Sequence, residues 1–224
     1  MSMMTNLFSV FDPSSSMGVS LNWLSMLICL MFYPLAKWSV SSRGGGLVSM
    51  IINILNLEIK QLLSSKSKST AVIFTSLFLF TMYSNLVGLA PYIFTSTSHL
   101  AVSLSLALPL WLGYYSYGWV VNTKWMLAHL TPQGTPSLLM PFMVVIESVS
   151  GLIRPATLAV RLMANMIAGH LLLALVSGAA SALIFSSLSV ISLFQVLLVV
   201  LEAAVAVIQA YVLVVLSVLY ASEV

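Results

Sequence analysis

Long apolar runs separated by short polar segments dominate the chain, and they predict helices that cross a membrane. The runs 13–36, 70–94 and 100–121 contain no Asp, Glu, Lys or Arg. A helix needs about 20 residues to cross the hydrocarbon core, so each run is long enough for one span. The segment 91–99, PYIFTSTSH, carries the Pro and Ser/Thr residues typical of a turn, and it separates the second span from the third.

Two further apolar stretches, 137–176 and 182–220, are unusually long. A helix of about 40 residues is about 60 Å long, whereas the hydrocarbon core is only about 30 Å thick. Each stretch is therefore either two short spans or one tilted helix. The link between them at 177–181, SGAAS, is short and uncharged, and no other cluster of turn residues interrupts either stretch. This pattern favours two long, tilted helices paired as a hairpin.

The segment between the first two spans combines apolar residues with several charges. Arg43, Lys60 and Lys66 lie there together with Glu58. Such a mixture predicts an amphipathic helix over 44–63 that lies on the membrane surface.

The composition supports a membrane fold. Of all residues, 60% are hydrophobic and 6% are charged, whereas a soluble domain usually carries about 25% charged residues. No soluble fold of this length hides so much apolar surface, so the lipid bilayer is expected to surround most of the chain. We predict one all-α integral membrane domain over 1–224, with an N-terminal segment 1–12, about five membrane-crossing helices and the one surface amphipathic helix.

The sequence predicts neither a cofactor nor a metal site. The single Cys29 cannot form an internal disulfide, and no Cys/His cluster has metal-ligand spacing. Gly44–Gly46 are not followed by the Lys-Ser/Thr pair of a phosphate loop. We therefore expect no directly bound nucleotide, and no nucleic acid partner.

The basic residues predict the orientation of the chain. Of its eight Lys and Arg residues, six fall on one face if five elements cross the membrane. These six are Lys37, Arg43, Lys60, Lys66, Lys68 and Lys124. By the positive-inside rule that face is cytoplasmic or, in an organelle, the matrix, and the C-terminus lies on it. The N-terminus lacks the features of a signal or transit peptide, which favours a protein that is made in an organelle or inserted directly.

Charged and polar residues inside the first long stretch form a pattern. A charge at the bilayer centre costs about 2.5–3.5 kcal/mol on insertion scales, so such residues are expected to mark an ion path. Glu147, Arg154 and Arg161 recur at seven-residue steps and form one helix stripe, which Asn165 extends. His170 is half a turn out of phase with Arg161, which indicates a second polar environment.

The second long stretch repeats the seven-residue step. Gln195, Glu202 and Gln209 follow it, and Glu223 falls on the same step two intervals later. Two polar stripes on adjacent antiparallel helices are expected to face a shared cleft.

The segment IRPATLAVRLMANMIAGH, at 153–170, resembles the signature of subunit a of the rotary F-type ATP synthases. The shared pattern is the Arg-Leu pair at 161–162, an Asn four residues after the Arg, and Gly-His further on. MPFMVVIESVSGLIRP, FQVLLVVLEAAVAVIQAYVLVVLSVLYASE, PYIFTSTSHL and HLTPQGTP also fit, so the resemblance covers 4–223. The mitochondrial members of arthropods are the most similar.

The resemblance implies a proton-conducting stator subunit of the Fo sector, which delivers protons to and from the carboxylates of a ring of c subunits. Two offset half-channels connect the ring to the two compartments. Arg161 is then the residue that faces the ring, where it attracts a c-subunit carboxylate without losing its own proton. His170 and Glu202 match the half-channel that opens to the intermembrane space.

The remaining polar residues match weaker parts of the family pattern. Asn165 and Gln209 match polar residues beside the Arg. Glu147 matches the acid of the matrix half-channel, and Glu223 is assigned to the same half-channel. The implied setting is the mitochondrial inner membrane, with the N-terminus toward the intermembrane space and the C-terminus toward the matrix. The implied partners are the c-ring, the peripheral stalk and other Fo subunits.

Other interpretations stay open beside this one. An ion-coupled secondary transporter also places charges near the midplane, but it predicts internal repeats and broken helices that are not evident in the sequence. A structural subunit of another respiratory complex has no need of an Arg, an Asn and acids at regular steps. Arg154 is explained equally well by a structural or helix-end contact, and Gln195 better by a packing hydrogen bond. His99 and His129, in connectors, are expected to be surface or interfacial residues.

Overall fold

The computed structural model describes residues 7–14, 20–31, 43–63, 70–90, 93–131, 136, 139–181 and 188–222. Within these ranges the chain forms helices joined by short connections, with no β-strand. The α-helices are α1 (Ser25–Met31), α2 (Arg43–Leu62), α3 (Ala71–Gly88), α4 (Leu100–Val121), α5 (Thr123–His129), α6 (Met140–Ser181) and α7 (Leu188–Ser222). Short 3-10 helices cover Leu7–Phe11, Leu21–Leu24 and Ser96–Ser98. The predicted all-α fold class is confirmed.

Three of the described helices, α3, α6 and α7, are long and apolar enough to cross a membrane. The chain is therefore a multi-pass membrane protein. α6 has 42 residues and α7 has 35, so at 1.5 Å per residue they are about 63 Å and about 53 Å long. Both exceed the hydrocarbon thickness of about 30 Å, which a tilted helix accommodates. α4 has 22 residues without a charge, but its Tyr, Trp, Pro, Gly and Ser residues lower its hydropathy.

The core lies where α3, α4, α6 and α7 meet. α3 packs on α7, α4 packs on α6, and α6 packs on α7. Phe74, Leu162, Leu213 and Val218 are fully buried at these contacts. α6 and α7 are antiparallel neighbours, because Arg154 in the first half of α6 lies against Tyr220 near the end of α7, while Gly169 further along α6 lies against Glu202. The long C-terminal helices thus form the predicted pair.

α2 contacts the bundle along one side. Ile59 is buried against the core that α3 and α7 contribute. Leu47, Met50 and Leu57 are exposed on the other side. A helix with apolar residues on both faces is suited to a position between the bundle and lipid.

The predicted turn at 177–181 is wrong, because α6 continues to Ser181. The segment SGAAS contains no proline, and alanine and serine are compatible with a helix, so nothing stops the helix there. α6 also begins at Met140 rather than at 137, with Pro141 in its first turn, where the missing N–H costs little. α7 is described from Leu188 and ends at Ser222 rather than at 220; residues 182–187 lie outside the described ranges.

Two other predicted helix bounds are corrected. In the predicted span 13–36, residues 13 and 14 are not helical, because the Ser14 amide donates a 3.0 Å hydrogen bond to the Asp12 carboxylate and closes a local turn. The α-helix begins only at Ser25, while 15–19 and 32–36 lie outside the description. In the predicted span 70–94, α3 ends at Gly88. A Cβ at Gly88 would lie 3.0 Å from the Thr95 side chain, so the chain folds back closely over this glycine.

Candidate functional site

A cavity between α6 and α7, called here the Glu202 cavity, brings together three of the predicted site residues. Asn165 and His170 reach it from α6, and Glu202 reaches it from α7. Its volume is about 190 Å³, which is room for several water molecules. The rest of its lining is apolar or glycine, and consists of Leu89, Met166, Ala168, Gly169, Leu172, Leu198, Leu201 and Val205.

Glu202 is buried, with 9% of its surface exposed. Neither of its carboxylate oxygens has a hydrogen-bond partner among the described residues, and the same holds for the buried Nε2 of His170. The His170 ring packs edge-on against Phe11, with centroids 6.5 Å apart. Buried polar atoms in native proteins are satisfied by protein or by ordered water, so these atoms mark the cavity as a place for water beside titratable groups.

A glycine allows the carboxylate to sit against α6. A Cβ added at Gly169 would lie 2.7 Å from the Glu202 Oε1 atom and 2.8 Å from its Cδ atom. No side chain larger than hydrogen fits there unless the carboxylate moves. Gly169 therefore fixes how closely the acid approaches the turn of α6 that carries His170.

A second cavity, the Glu147 cavity, lies toward the start of α6 and the end of α7. Its volume is about 80 Å³. Glu147 and Arg154 line it and form an ion pair, in which Arg154 Nη2 donates to Glu147 Oε1 over 3.2 Å. The other lining residues come from α4, α5, α6, α7 and the turn after α5, and are Trp111, Tyr114, Tyr115, Trp119, Met126, His129, Leu130, Ser148, Gly151, Leu152 and Tyr220.

Arg161 lines neither cavity. Its neighbours Leu158, Ala159 and Leu162 are buried in the core, whereas Arg161 itself lies on an exposed face of α6. Within the described part of the chain its guanidinium forms no ion pair. Along the axis of α6, Arg161 is about 10 Å from Arg154 and about 13 Å from His170, at 1.5 Å per residue. Arg161, without an ion pair among the described residues, thus lies along α6 between two separate cavities.

The other predicted site residues are placed as follows. Asn165, expected to extend the stripe of Arg161, lines the Glu202 cavity. Gln195 and Gln209 are half-buried on α7 and line neither cavity. Glu223 lies outside the described residues.

Some polar residues that were not predicted as functional are buried, half-buried or in the lining of a cavity. Asn85 of α3 is fully buried, and its Nδ2 donates a 3.4 Å hydrogen bond to the Ala206 carbonyl, one turn after Glu202. An amide inside an apolar run was the available signal for it. His129, expected at the surface, lines the Glu147 cavity. His99 is half-buried, with its ring centroid 5.1 Å from that of Trp23.

Residues 19–222, nearly the whole chain, match the family model described as ATP synthase A chain. The chain belongs to the ATP synthase subunit a family. It is 53% identical to ATP synthase subunit a of Drosophila melanogaster over 223 residues, which is 99% of this chain and 100% of that protein. It is also 53% identical to the subunit a of Anopheles gambiae and 52% identical to that of Aedes aegypti, each over 225 residues, 99% of this chain and the whole of the relative.

Membership of the subunit a family has direct consequences. The chain is an Fo membrane subunit of an ATP synthase and assembles with other subunits of that complex. ATP chemistry takes place elsewhere in the complex, and this chain has no catalytic site for it. Among the described residues no group of three His, Cys, Asp or Glu side chains is arranged to hold a metal ion.

Proposed function

We propose that this chain conducts protons to and from the carboxylates of a rotating ring of c subunits through two offset half-channels. One observation carries the proposal: the exposed Arg161 is unpaired among the described residues and lies between two cavities whose linings share no residue. Each cavity holds an acid, Glu202 in one and Glu147 in the other. A continuous pore would let protons leak across the bilayer, whereas two interrupted paths force them onto a carrier.

The proposed path begins in the Glu202 cavity. A proton passes Glu202 and His170, with Asn165 in the same lining, and neutralises a c-subunit carboxylate. The neutral carboxylic acid rotates into lipid, since a neutral group avoids much of the cost of a charge there. After nearly a full turn, the field of Arg161 favours loss of the proton into the Glu147 cavity.

Arginine suits the position between the two paths. Its guanidinium stays charged at any physiological pH, so it attracts a carboxylate but does not relay a proton itself. A proton that crosses a potential of 100 mV releases about 2.3 kcal/mol. The separation of the paths turns this free energy into rotation. Gln209 and Glu223 are assigned to the same path.

The proposed setting is the mitochondrial inner membrane. The N-terminus faces the intermembrane space and the C-terminus faces the matrix, because six of the eight Lys and Arg residues fall on one face if five elements cross the membrane. Partners are the c-ring, which covers Arg161, and the peripheral stalk and other Fo subunits. The chain acts as a single membrane domain.

The test is ATP synthesis driven by an imposed proton gradient in vesicles that contain the complete complex. We expect Arg161→Ala to abolish synthesis while the complex still assembles, because the Arg161 side chain is exposed and outside the core. Val160→Ala, which trims the adjacent residue with 46% exposure, is the matched control and should retain most of the rate. A normal rate for Arg161→Ala in assembled complex would overturn the proposal.

A further inference from the structure

Arg154 connects the two long helices beside the Glu147 cavity. Its guanidinium pairs with Glu147 on α6 at 3.2 Å and lies 5.9 Å from the ring centroid of Tyr220 on α7. Both side chains of the ion pair are 35% exposed, so they lie at the edge of the cavity and not deep in the core. Arg154 therefore contacts an acid on its own helix and an aromatic ring on the next one.

The direction of the helix explains why Arg154 reaches Glu147. Long side chains on an α-helix lean toward its N-terminus and cover the preceding turns. The guanidinium of Arg154 is thereby carried back toward position 147, two turns earlier. Arg161, one further step along the same stripe, has no acid two turns before it and no described ion pair. The two arginines of the stripe are thus distinct in their surroundings.

The Tyr220 ring limits where the Arg154 guanidinium can lie. A guanidinium over an aromatic face gains about 0.5–2 kcal/mol and has a restricted orientation. Glu147 alone has several freely rotating bonds, and its carboxylate would sample many positions. With the guanidinium fixed from α7, the carboxylate is directed into the cavity that His129 also lines.

We propose that Arg154 is a positioning residue for proton release. Held over Tyr220, it keeps the Glu147 carboxylate turned into the Glu147 cavity, so that protons leaving the ring pass through that carboxylate. This inference rests on the proposed function of the cavity as the release path. The titratable and charged groups that face Glu147 from the elements packed around it are Tyr114 and Tyr115 of α4, His129 of α5, Arg154 of α6 and Tyr220 of α7.

A purely structural role for Arg154 makes a different prediction. If its side chain only filled space between α6 and α7, Met would replace it as well as Lys. If it positions a carboxylate by charge, Lys should preserve more function than Met, because Lys keeps the charge and Met keeps only the length.

The experiment measures proton flux into vesicles that contain the complete complex, normalised to the amount of assembled complex. We expect Arg154→Met to lower the flux about 10-fold, since small misplacements of a reacting group cost about that much or more. Arg154→Lys should retain more flux than Arg154→Met, because its ammonium keeps the charge and can also lie over an aromatic face. Equal rates for Arg154→Lys and Arg154→Met, or an undiminished rate for Arg154→Met, would overturn the proposal.

A double substitution tests whether Arg154 acts through Glu147. The variant with both Glu147→Gln and Arg154→Met should be no slower than Glu147→Gln alone, because residues that act as a unit are not additive. If the two losses multiply, Arg154 acts independently of Glu147 and the inference fails. An unimpaired Glu147→Gln variant also overturns it, because nothing would then be left for Arg154 to position.

Substitutions of Tyr220 provide a second test, which leaves the ion pair between Arg154 and Glu147 in place. Tyr220→Phe keeps the ring face and should retain more flux than Tyr220→Leu, which removes the ring and should slow the flux about 3-fold, in line with the energy of a cation–ring contact. Equal flux in these two variants counts against the proposal even if Arg154→Met does not assemble. The Arg161→Ala result decides the proposed function separately, since Arg161 lies outside this cavity.

Discussion

Gly169 on α6 and Glu202 on α7 are packed so closely that a Cβ at position 169 would lie 2.7 Å from a carboxylate oxygen. This contact sets the register of the long helices beside the Glu202 cavity. His170 follows Gly169 in the chain, so the contact also holds the Glu202 carboxylate beside the turn of α6 that carries His170. The Nε2 atom of His170 is buried without a hydrogen-bond partner among the described residues. The smallest residue of the family motif is therefore the one that determines the position of the acid.

Gly169→Ala should displace the Glu202 carboxylate without unfolding the helix pair. The clashing atoms belong to a flexible side chain, which can move aside, and alanine favours a helix by about 0.5–1 kcal/mol over glycine. We expect a normal amount of assembled complex and a proton flux lowered about 10- to 100-fold, because the relay group is misplaced. The measurement is proton flux in reconstituted vesicles.

The matched control is Gly178→Ala. It makes the same chemical change on the same helix, where an added Cβ meets nothing within 4 Å. Its flux should equal that of the unchanged protein. Similar losses in both variants would mean that helix flexibility, and not the position of Glu202, explains the effect.

Glu202→Gln should lower the proton flux about 100-fold or more, because the amide keeps the shape of the side chain but cannot accept and release a proton. Glu58→Gln is the control. Glu58 is exposed on α2, accepts a 3.4 Å hydrogen bond from the Tyr211 hydroxyl, and lines neither cavity. Both variants are compared by proton flux at equal amounts of complex. An equal flux in the two variants would argue against Glu202 as a relay.

The helical membrane fold could be predicted from the sequence because lipid imposes a simple rule. Residues in the bilayer must be apolar over a length fixed by its thickness, and the runs that contain α3, α6 and α7 follow that rule. The ends of the helices were predicted less accurately than their presence. SGAAS resembles a turn by composition, yet α6 continues through it. Ala favours a helix, and Gly and Ser weaken one by at most about 1 kcal/mol per residue, so nothing in the segment ends the helix.

The sequence predicted which residues belong to the candidate site, but it predicted less well which of them lie together in space. Periodicity indicates that Arg154 and Arg161 share a stripe with Glu147, but it does not distinguish the surroundings of the two arginines. The structure distinguishes them, because Tyr220 lies against Arg154, whereas Arg161 is exposed and has no ion pair among the described residues. The role of Gly169 depends on the register between α6 and α7, which no local pattern in either helix contains.

The central claim is that the two cavities open to opposite sides of the membrane and are interrupted at Arg161. It is tested most directly by the access of a charged, membrane-impermeant thiol reagent to single cysteines, introduced after the one native cysteine is removed by Cys29→Ser. Ser148→Cys places a thiol in the Glu147 cavity and Ala168→Cys places one in the Glu202 cavity. Cys29→Ser alone should remain unlabelled.

We expect Ser148→Cys to react only with reagent added on the matrix side, and Ala168→Cys only with reagent added on the intermembrane-space side. Labelling of both cysteines from the same side, or of either one from both sides, would contradict two separate half-channels. Failure to label either cysteine would contradict water-filled cavities altogether.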